Sequence, residues 1–143
     1  MAGERYAVDV AVRWSDQDVY GHVNHACVVT LLEEARTALL FDEATRVGVS
    51  AFETGLLVSA VEVRYRRPIP WTPAGVRVQM WAHELRAASF RVGYRVLLPS
   101  DDPRPAAEAS TELVPYDLAA GRPRRLTPQE RAFVGRYLEE ERP

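Results

Sequence analysis

The sequence predicts an α+β domain in which one long helix is covered by the concave face of an antiparallel sheet, and three observations carry that expectation. Between Ala26 and Leu40 there is neither proline nor glycine, and Val28, Leu31, Leu32, Ala35 and Leu39 fall at i, i+3, i+4, i+7 and i+11, which is helical spacing. After Gly55 the apolar period changes from helical to two, the period of a strand with one buried face. Prolines then punctuate the strand-like runs at RRPIPWTP, PSDDPRP and GRPRRLTP, where a ladder hydrogen bond would be lost.

Taken in order, Ala7 to Trp14 alternates loosely and predicts a first strand ending at the polar loop SDQDVYGH. Asn24 stands where the helical pattern begins. Asparagine is a strong N-cap because its side chain accepts a hydrogen bond from the N2 or N3 amide, so His25 is expected at N1. A helix this apolar around its circumference is expected to be buried on several sides. Val61, Val63 and Tyr65 then alternate with Glu62, Arg64 and Arg66. Val76 to His83 and Phe90 to Val96 repeat the pattern, and Ala106 to Val114 gives a weaker strand. Thr127 followed by Pro128 is a start signal for a terminal amphipathic helix running to Glu140. No repeat, linker or low-complexity tract divides the chain, so residues 1–143 are expected to form one domain.

Composition narrows the function. Hydrophobic residues make up 47% and charged residues 27% of 143, a globular balance. A formal net charge of −2 argues against a general nucleic-acid binder. The chain has no lysine, so Schiff-base chemistry on a lysine is excluded and each fixed cation is the planar fork of arginine. Cys27 is the sole cysteine and cannot form an intrachain disulfide. The amino terminus carries Glu4, Arg5 and Asp9 where a signal peptide needs an apolar core. A soluble protein of the reducing cytoplasm, with no membrane span, is the expectation.

The chemistry concentrates in SDQDVYGHVNHACVVTLLEEAR, Ser15 to Arg36. The first amides of a helix lack intrahelical acceptors and favour negative charge. If Asn24 caps Ala26 or Cys27, the His25 amide stays free to polarise a carbonyl, and Asp18, in a loop with Gly21, can fold back beside it. A carboxylate and an amide donor are the least that acyl hydrolysis requires. The same residues also suit plain capping, and spacing alone leaves the two open. His22 and His25 with Asp18 raise a zinc reading, set aside because no further ligand lies nearby; no metal is expected. His83 falls on the polar side of its strand and is expected at the surface. Glu33 and Glu34 stand within one turn of Arg36, which predicts an ion pair or a subunit contact.

The stretch DQDVYGHVNHACVVTLLEEAR resembles the signature of hotdog-fold thioesterases of the 4-hydroxybenzoyl-CoA and YbgC-like acyl-CoA group, D-x-D-x-x-G-x-V leading into E-x-A-R. A looser likeness runs through R-Y-x-x-P at Arg64 to Pro68, the S-F pair at Ser89, and the closing pattern from Ala107 to Thr127. The resemblance implies a hotdog fold and hydrolysis of an acyl-CoA thioester. In it Asp18 takes the catalytic position, as nucleophile or general base, and the His25 amide holds the thioester carbonyl, with Asn24, His22 and Tyr20 positioning the site. Plant acyl-carrier-protein thioesterases are similar over D-x-N-x-H, but Tyr20 stands at the asparagine.

Coenzyme A would enter as part of the substrate, with no separate cofactor, and its phosphates would fall to Arg66 and Arg67 at one strand end and to Arg86 with Ser89 at the turn RAAS. Arg64 joins the first cluster, and Ala87 and Ala88 stand where relatives often carry basic residues. The resemblance also implies a homodimer with the active site at its interface, or a dimer of dimers. Two further readings stay open: a hotdog dehydratase using a histidine base, and a non-catalytic acyl-binding protein. Delivery of the acyl group by an acyl carrier protein is a further alternative.

Overall fold

A computed structural model describes residues 3–139. Its sheet has the order β1-β3-β4-β5-β2, built from β1 (Tyr6–Val10), β2 (Leu56–Tyr65), β3 (Val76–His83), β4 (Phe90–Leu97) and β5 (Ala107–Asp117), with every neighbouring pair antiparallel. A two-residue strand, β6 (Arg122–Pro123), pairs with the end of β5. The main helix α1 (His25–Thr37) lies against one face of this sheet. It continues through a π-helical turn, Ala38–Glu43, into α2 (Ala44–Arg46), and α3 (Pro128–Arg136) closes the described chain. Among the described residues no helix is long and apolar enough to cross a membrane.

Alternation decides which strand residues face the helix. Val76, Val78, Met80 and Ala82 of β3 and Phe90, Val92, Tyr94 and Val96 of β4 are all buried, as are Val28, Leu31, Leu32 and Ala35 of α1. Between the buried positions of β3 and β4 stand Arg77, Gln79, Trp81, His83, Arg91 and Arg95 on the outer face. There the Trp81 ring lies across Gly93, its cross-strand partner, where a β-carbon would come within 2.4 Å of the ring. Glycine is needed there so that the indole can lie flat.

The structure corrects several expectations. The first strand stops at Val10, not Trp14, because the Arg13 amide and guanidinium both bond to the Asp16 carboxylate and wind Trp14–Asp16 into a single 3₁₀ turn. The helical path also runs on beyond the proline- and glycine-free stretch from Ala26 to Leu40. Its apolar face returns at Ala44, fully buried, and the π turn keeps that residue in register with the core. Nor is α1 buried on several sides, since Thr30, Glu33, Glu34 and Thr37 are exposed. The fourth strand pattern runs from Ala107 to Asp117 and the terminal helix ends at Arg136, with Glu140 outside the described residues. His83 is half-buried, its Nε2 3.3 Å from the Ser110 hydroxyl, and burial holds its pKa below the ordinary value.

One edge differs from the rest. β2 is ten residues long and nearly all of it is exposed, including Leu57, Val58, Val61 and Tyr65. Val61 and Tyr65 share the helix-facing side of the sheet, as their cross-strand partners Thr111 and Ala107 show, so apolar surface continues past the helix flank. A long unpaired edge of this kind invites another strand.

Candidate active site

The loop before α1 is held by its own backbone. Asp16 is buried, its carboxylate occupied by Arg13, and the Arg13 hydrogen bonds hold its pKa below the usual carboxylate range. Its carbonyl accepts the Asn24 amide at 2.8 Å, which fixes where the helix begins. Gln17 bridges Val23, and the Asp18 amide donates to the His22 carbonyl at 2.7 Å. Residues 16–18 and 22–24 therefore form a miniature ladder. Gly21, at φ +77°, allows the chain to reverse inside it.

Asp18 stands at the turn end of this ladder, two residues from the register of Asn24, or roughly 7 Å at strand rise. One carboxylate oxygen, Oδ1, accepts the Tyr20 amide at 2.8 Å and the His22 amide at 3.3 Å. The other, Oδ2, has no hydrogen-bond partner among the described residues. The structure separates the two carboxylates of this loop, Asp16 buried and paired, Asp18 half-exposed with a free oxygen.

Asn24 caps α1 as expected, its side-chain oxygen accepting the Ala26 amide at 2.9 Å. The Cys27 and Val28 amides go to the Asn24 carbonyl. The His25 amide is left with no acceptor among the described residues, at the helix start two residues along the ladder from half-exposed Asp18. That geometry can accept a carbonyl oxygen and hold it as negative charge grows there. His22 contributes its backbone, bridged to Pro70, and Tyr20 is exposed at the tip of the turn with its amide on Asp18.

Tyr65 joins this site without having been expected there. Its hydroxyl donates to the His25 carbonyl at 2.7 Å, and its ring stands edge-on to the imidazole at 6.4 Å between centroids. Burial raises its pKa, which keeps the donor protonated. The sequence signal was the R-Y-x-x-P strand end, but alternation marks Tyr65 only as a strand residue.

The proposed phosphate-binding arginines do not gather at this point. Arg66 pairs with Glu108 at 3.3 Å; Arg67 pairs with Asp102 at 3.1 Å and donates to the Arg104 carbonyl. Both stand next to Tyr65 but already hold carboxylates. Arg86 has no ion pair among the described residues, and its amide donates to the Ser89 carbonyl in the turn. That turn precedes Phe90, which pairs with Leu113, whereas Tyr65 pairs with Ala107. Six residues of β5 separate the two, roughly 20 Å, so Arg86 and Ser89 lie at the far end of the sheet from the helix start of the same chain. Of the ion pair or subunit contact expected for Arg36, the ion pair with Glu33 or Glu34 is not formed; Arg36 donates instead to the Tyr94 hydroxyl at 3.2 Å. Among the described residues no group of three or more His, Cys, Asp or Glu is placed to hold a metal ion.

The sequence pattern of the thioesterase-like superfamily matches residues 12–134. No curated protein sequence matches the chain. Among solved structures, the PA2801 protein of Pseudomonas aeruginosa, which carries a provisional thioesterase name, is 29% identical over 88% of this chain and 95% of its own, with a TM-score of 0.76. A Xanthomonas campestris protein with a provisional acyl-CoA thioesterase name is 30% identical over 76% of this chain and 90% of its own, at 0.62. The DHNA-CoA thioesterase of Staphylococcus aureus shares the fold at 22% identity, over 88% and 82%, with a TM-score of 0.69. The curled sheet and long helix are those of the hotdog fold. The family and the Pseudomonas and Xanthomonas neighbours support thioester hydrolysis, and the chain belongs to the thioesterase-like superfamily.

Proposed function

We propose that the protein hydrolyses an acyl-CoA thioester at the start of α1. The observation that carries this reading is the His25 amide, left without an acceptor because Asn24 caps Ala26, with the Asp18 carboxylate fastened one ladder step away. The thioester oxygen accepts the His25 N–H. The free oxygen of Asp18 then attacks the carbonyl carbon, or takes a proton from a water that attacks it. The C–S bond breaks, the thiolate of coenzyme A leaves and is protonated, and water ends in the carboxylic acid. In the nucleophilic version the mixed anhydride on Asp18 is hydrolysed in a second step. The reaction asks for no cofactor beyond the coenzyme A carried in by the substrate.

A second copy completes the site in this reading. Its support is the exposed β2 edge, where antiparallel pairing of two copies joins their sheets. Such pairing sets the Tyr65 end of one β2 against the Leu56 end of the other. It thereby brings Arg86 of the partner subunit toward the helix start that this chain's own Arg86 does not reach. Light scattering at micromolar concentration should give a dimer or larger; a monomer sinks this arrangement.

Thiol release from a panel of acyl-CoA and aryl-CoA substrates tests the reaction. Asp18→Asn keeps the size of the side chain and removes the base or nucleophile, so kcat should fall by about 10² or more. An unchanged rate in that variant would show that another carboxylate does the work.

A further inference from the structure

We infer that Arg36 reads a carboxylate at the far end of the acyl group, which makes the preferred substrate a thioester of a medium-length dicarboxylic acid. This inference rests on the thioesterase reading, with the carbonyl held by the His25 amide. His25, Val29, Leu32 and Arg36 fall at i, i+4, i+7 and i+11, one stripe along α1. At its start the stripe meets β2, where Tyr65 bonds to His25. At its end Arg36 donates to Tyr94, whose hydroxyl is 2.7 Å from that of Thr111. Thr111 is the cross-strand partner of Val61. The stripe therefore runs from β2 at its start inward toward β4 and β5 at its end, and the surface between the ends is apolar and open at Val29 and Val61, which are 37% and 45% exposed.

Two reckonings give the span. Eleven residues of helix advance roughly 16 Å, and the arginine side chain leans back by about one turn, leaving about 11 Å. From the strand side, the Tyr94 and Thr111 hydroxyls meet between the rows of Val63 and Val61, two and four residues from Tyr65. At strand rise that is roughly 7 to 13 Å. A saturated chain with bonds of about 1.5 Å covers 10 Å in zigzag with about eight carbons.

The charge at that end is unsatisfied by protein. Arg36 is half-buried, and no carboxylate among the described residues forms an ion pair with it. Its one hydrogen bond goes to a neutral phenol, itself fully buried and engaged with Thr111, also buried. The phenol props one edge of the guanidinium and leaves the remaining donors for an acceptor, and a carboxylate matches that fork with two parallel bonds. A plain alkyl tail would end against a charge it cannot satisfy.

Calorimetric titration with two non-hydrolysable thioethers of coenzyme A, one bearing an eight-carbon alkyl chain and one the same chain ending in a carboxylate, separates the possibilities. The natural protein should bind the carboxylated thioether more tightly. Arg36→Met, which keeps an apolar stem, should reverse or erase that preference through a loss of about tenfold or more in the carboxylated ligand alone. Arg36→Gln serves the same purpose should the methionine variant not fold, and Tyr94→Phe, which retains the charge, should keep much of the preference. An affinity ratio near one in the natural protein overturns the inference. So does an equal loss for both ligands, above all if light scattering shows that Arg36→Met also dissociates the oligomer, since Arg36 would then be a subunit contact. Thiol release by the natural protein from the coenzyme A thioesters of octanoic and octanedioic acids reports separately on the thioesterase reading, because hydrolysis of neither would sink the Asp18 chemistry whatever the affinity ratio.

Discussion

The two N-terminal helix starts of this protein, α1 and α3, use the same device to opposite ends. At α3, Thr127 accepts the Glu130 amide at 3.1 Å while the Glu130 carboxylate accepts the Thr127 amide at 2.8 Å, and Pro128 at the first helical position has no N–H to satisfy. Arg124 clamps both oxygens of the fully buried Glu130 and reaches on to the Ala51 carbonyl. The Thr127 and Glu130 amides are both met by side chains of the same turn, whereas the Gln129 amide and the buried Arg124 Nε have no acceptor among the described residues. At α1, Asn24 satisfies one amide, there is no acidic residue in the first turn, and the carboxylate of the preceding loop, Asp18, stays half-exposed with one oxygen open. Both starts leave an amide open; what differs is the carboxylate, buried and clamped at α3 but half-exposed with a free oxygen in the loop before α1.

If that contrast is right, the two carboxylates should fail differently. Glu130→Gln leaves the Arg124 charge beside a neutral amide in a buried site, and breaking such a pair costs about 3 to 5 kcal/mol. Chemical denaturation should show that loss, with thiol release per folded molecule little changed. Asp18→Asn should do the reverse: the activity loss of about 10² corresponds to about 2.7 kcal/mol of barrier, while the denaturation midpoint stays close to that of the natural protein. A large stability loss in Asp18→Asn would place that carboxylate with Glu130, as a cap.

Asp16 sharpens the comparison because it lies two residues from Asp18 and is built like Glu130. Its folded pKa is depressed by Arg13, so it binds protons more weakly folded than unfolded. Its stabilisation is present above the ordinary carboxylate pKa, near 4, and is lost as pH falls through the lower folded value. Asp16→Asn should lower stability at neutral pH by about 1 to 3 kcal/mol, with the gap to the natural protein closing in acid. A gap that persists unchanged at low pH would mean that the charge of Asp16 does not matter.

What could be read from the sequence follows the same division between local and distant causes. The start of α1 was legible because Asn24, the helical spacing and the loop with Gly21 are contiguous in the chain. β3 and β4 were legible because each alternates without interruption. The end of the first strand was not, because Arg13 and Asp16 read as two unrelated polar residues until the backbone winds them together. The continuation of the helix past Leu40 was hidden by Asp42 and Glu43, which break an α-helical stripe but not one shifted by a π turn. The meetings of Tyr65 with His25, and of Arg36 with Tyr94, join residues 40 and 58 positions apart. No periodicity within one element announces such contacts; they follow from the packing of α1 against the sheet.

The smallest expected effect is the most direct test of the open helix start. Asn24→Ala removes the acceptor for the Ala26 amide, and losing an N-cap of this kind costs about 1 kcal/mol of stability. The backbone bond from Asn24 to the Asp16 carbonyl does not depend on the side chain, so the helix should still begin at His25. The start then carries two free amides in place of one, the second at Ala26 and pointing one residue further around the helix. A substrate carbonyl has to choose between them, and the choice misaligned with Asp18 does not react. The expected signature is a fall in kcat of several-fold with KM little altered, since binding to either amide retains affinity while reaction requires one. Asn24→Asp keeps an acceptor and should hold the Ala26 amide as asparagine does, but its charge stands beside the carbonyl that must become negative, so its kcat should fall while stability is retained. If both variants hydrolyse at the natural rate, the amide at the start of α1 is not where the thioester oxygen sits.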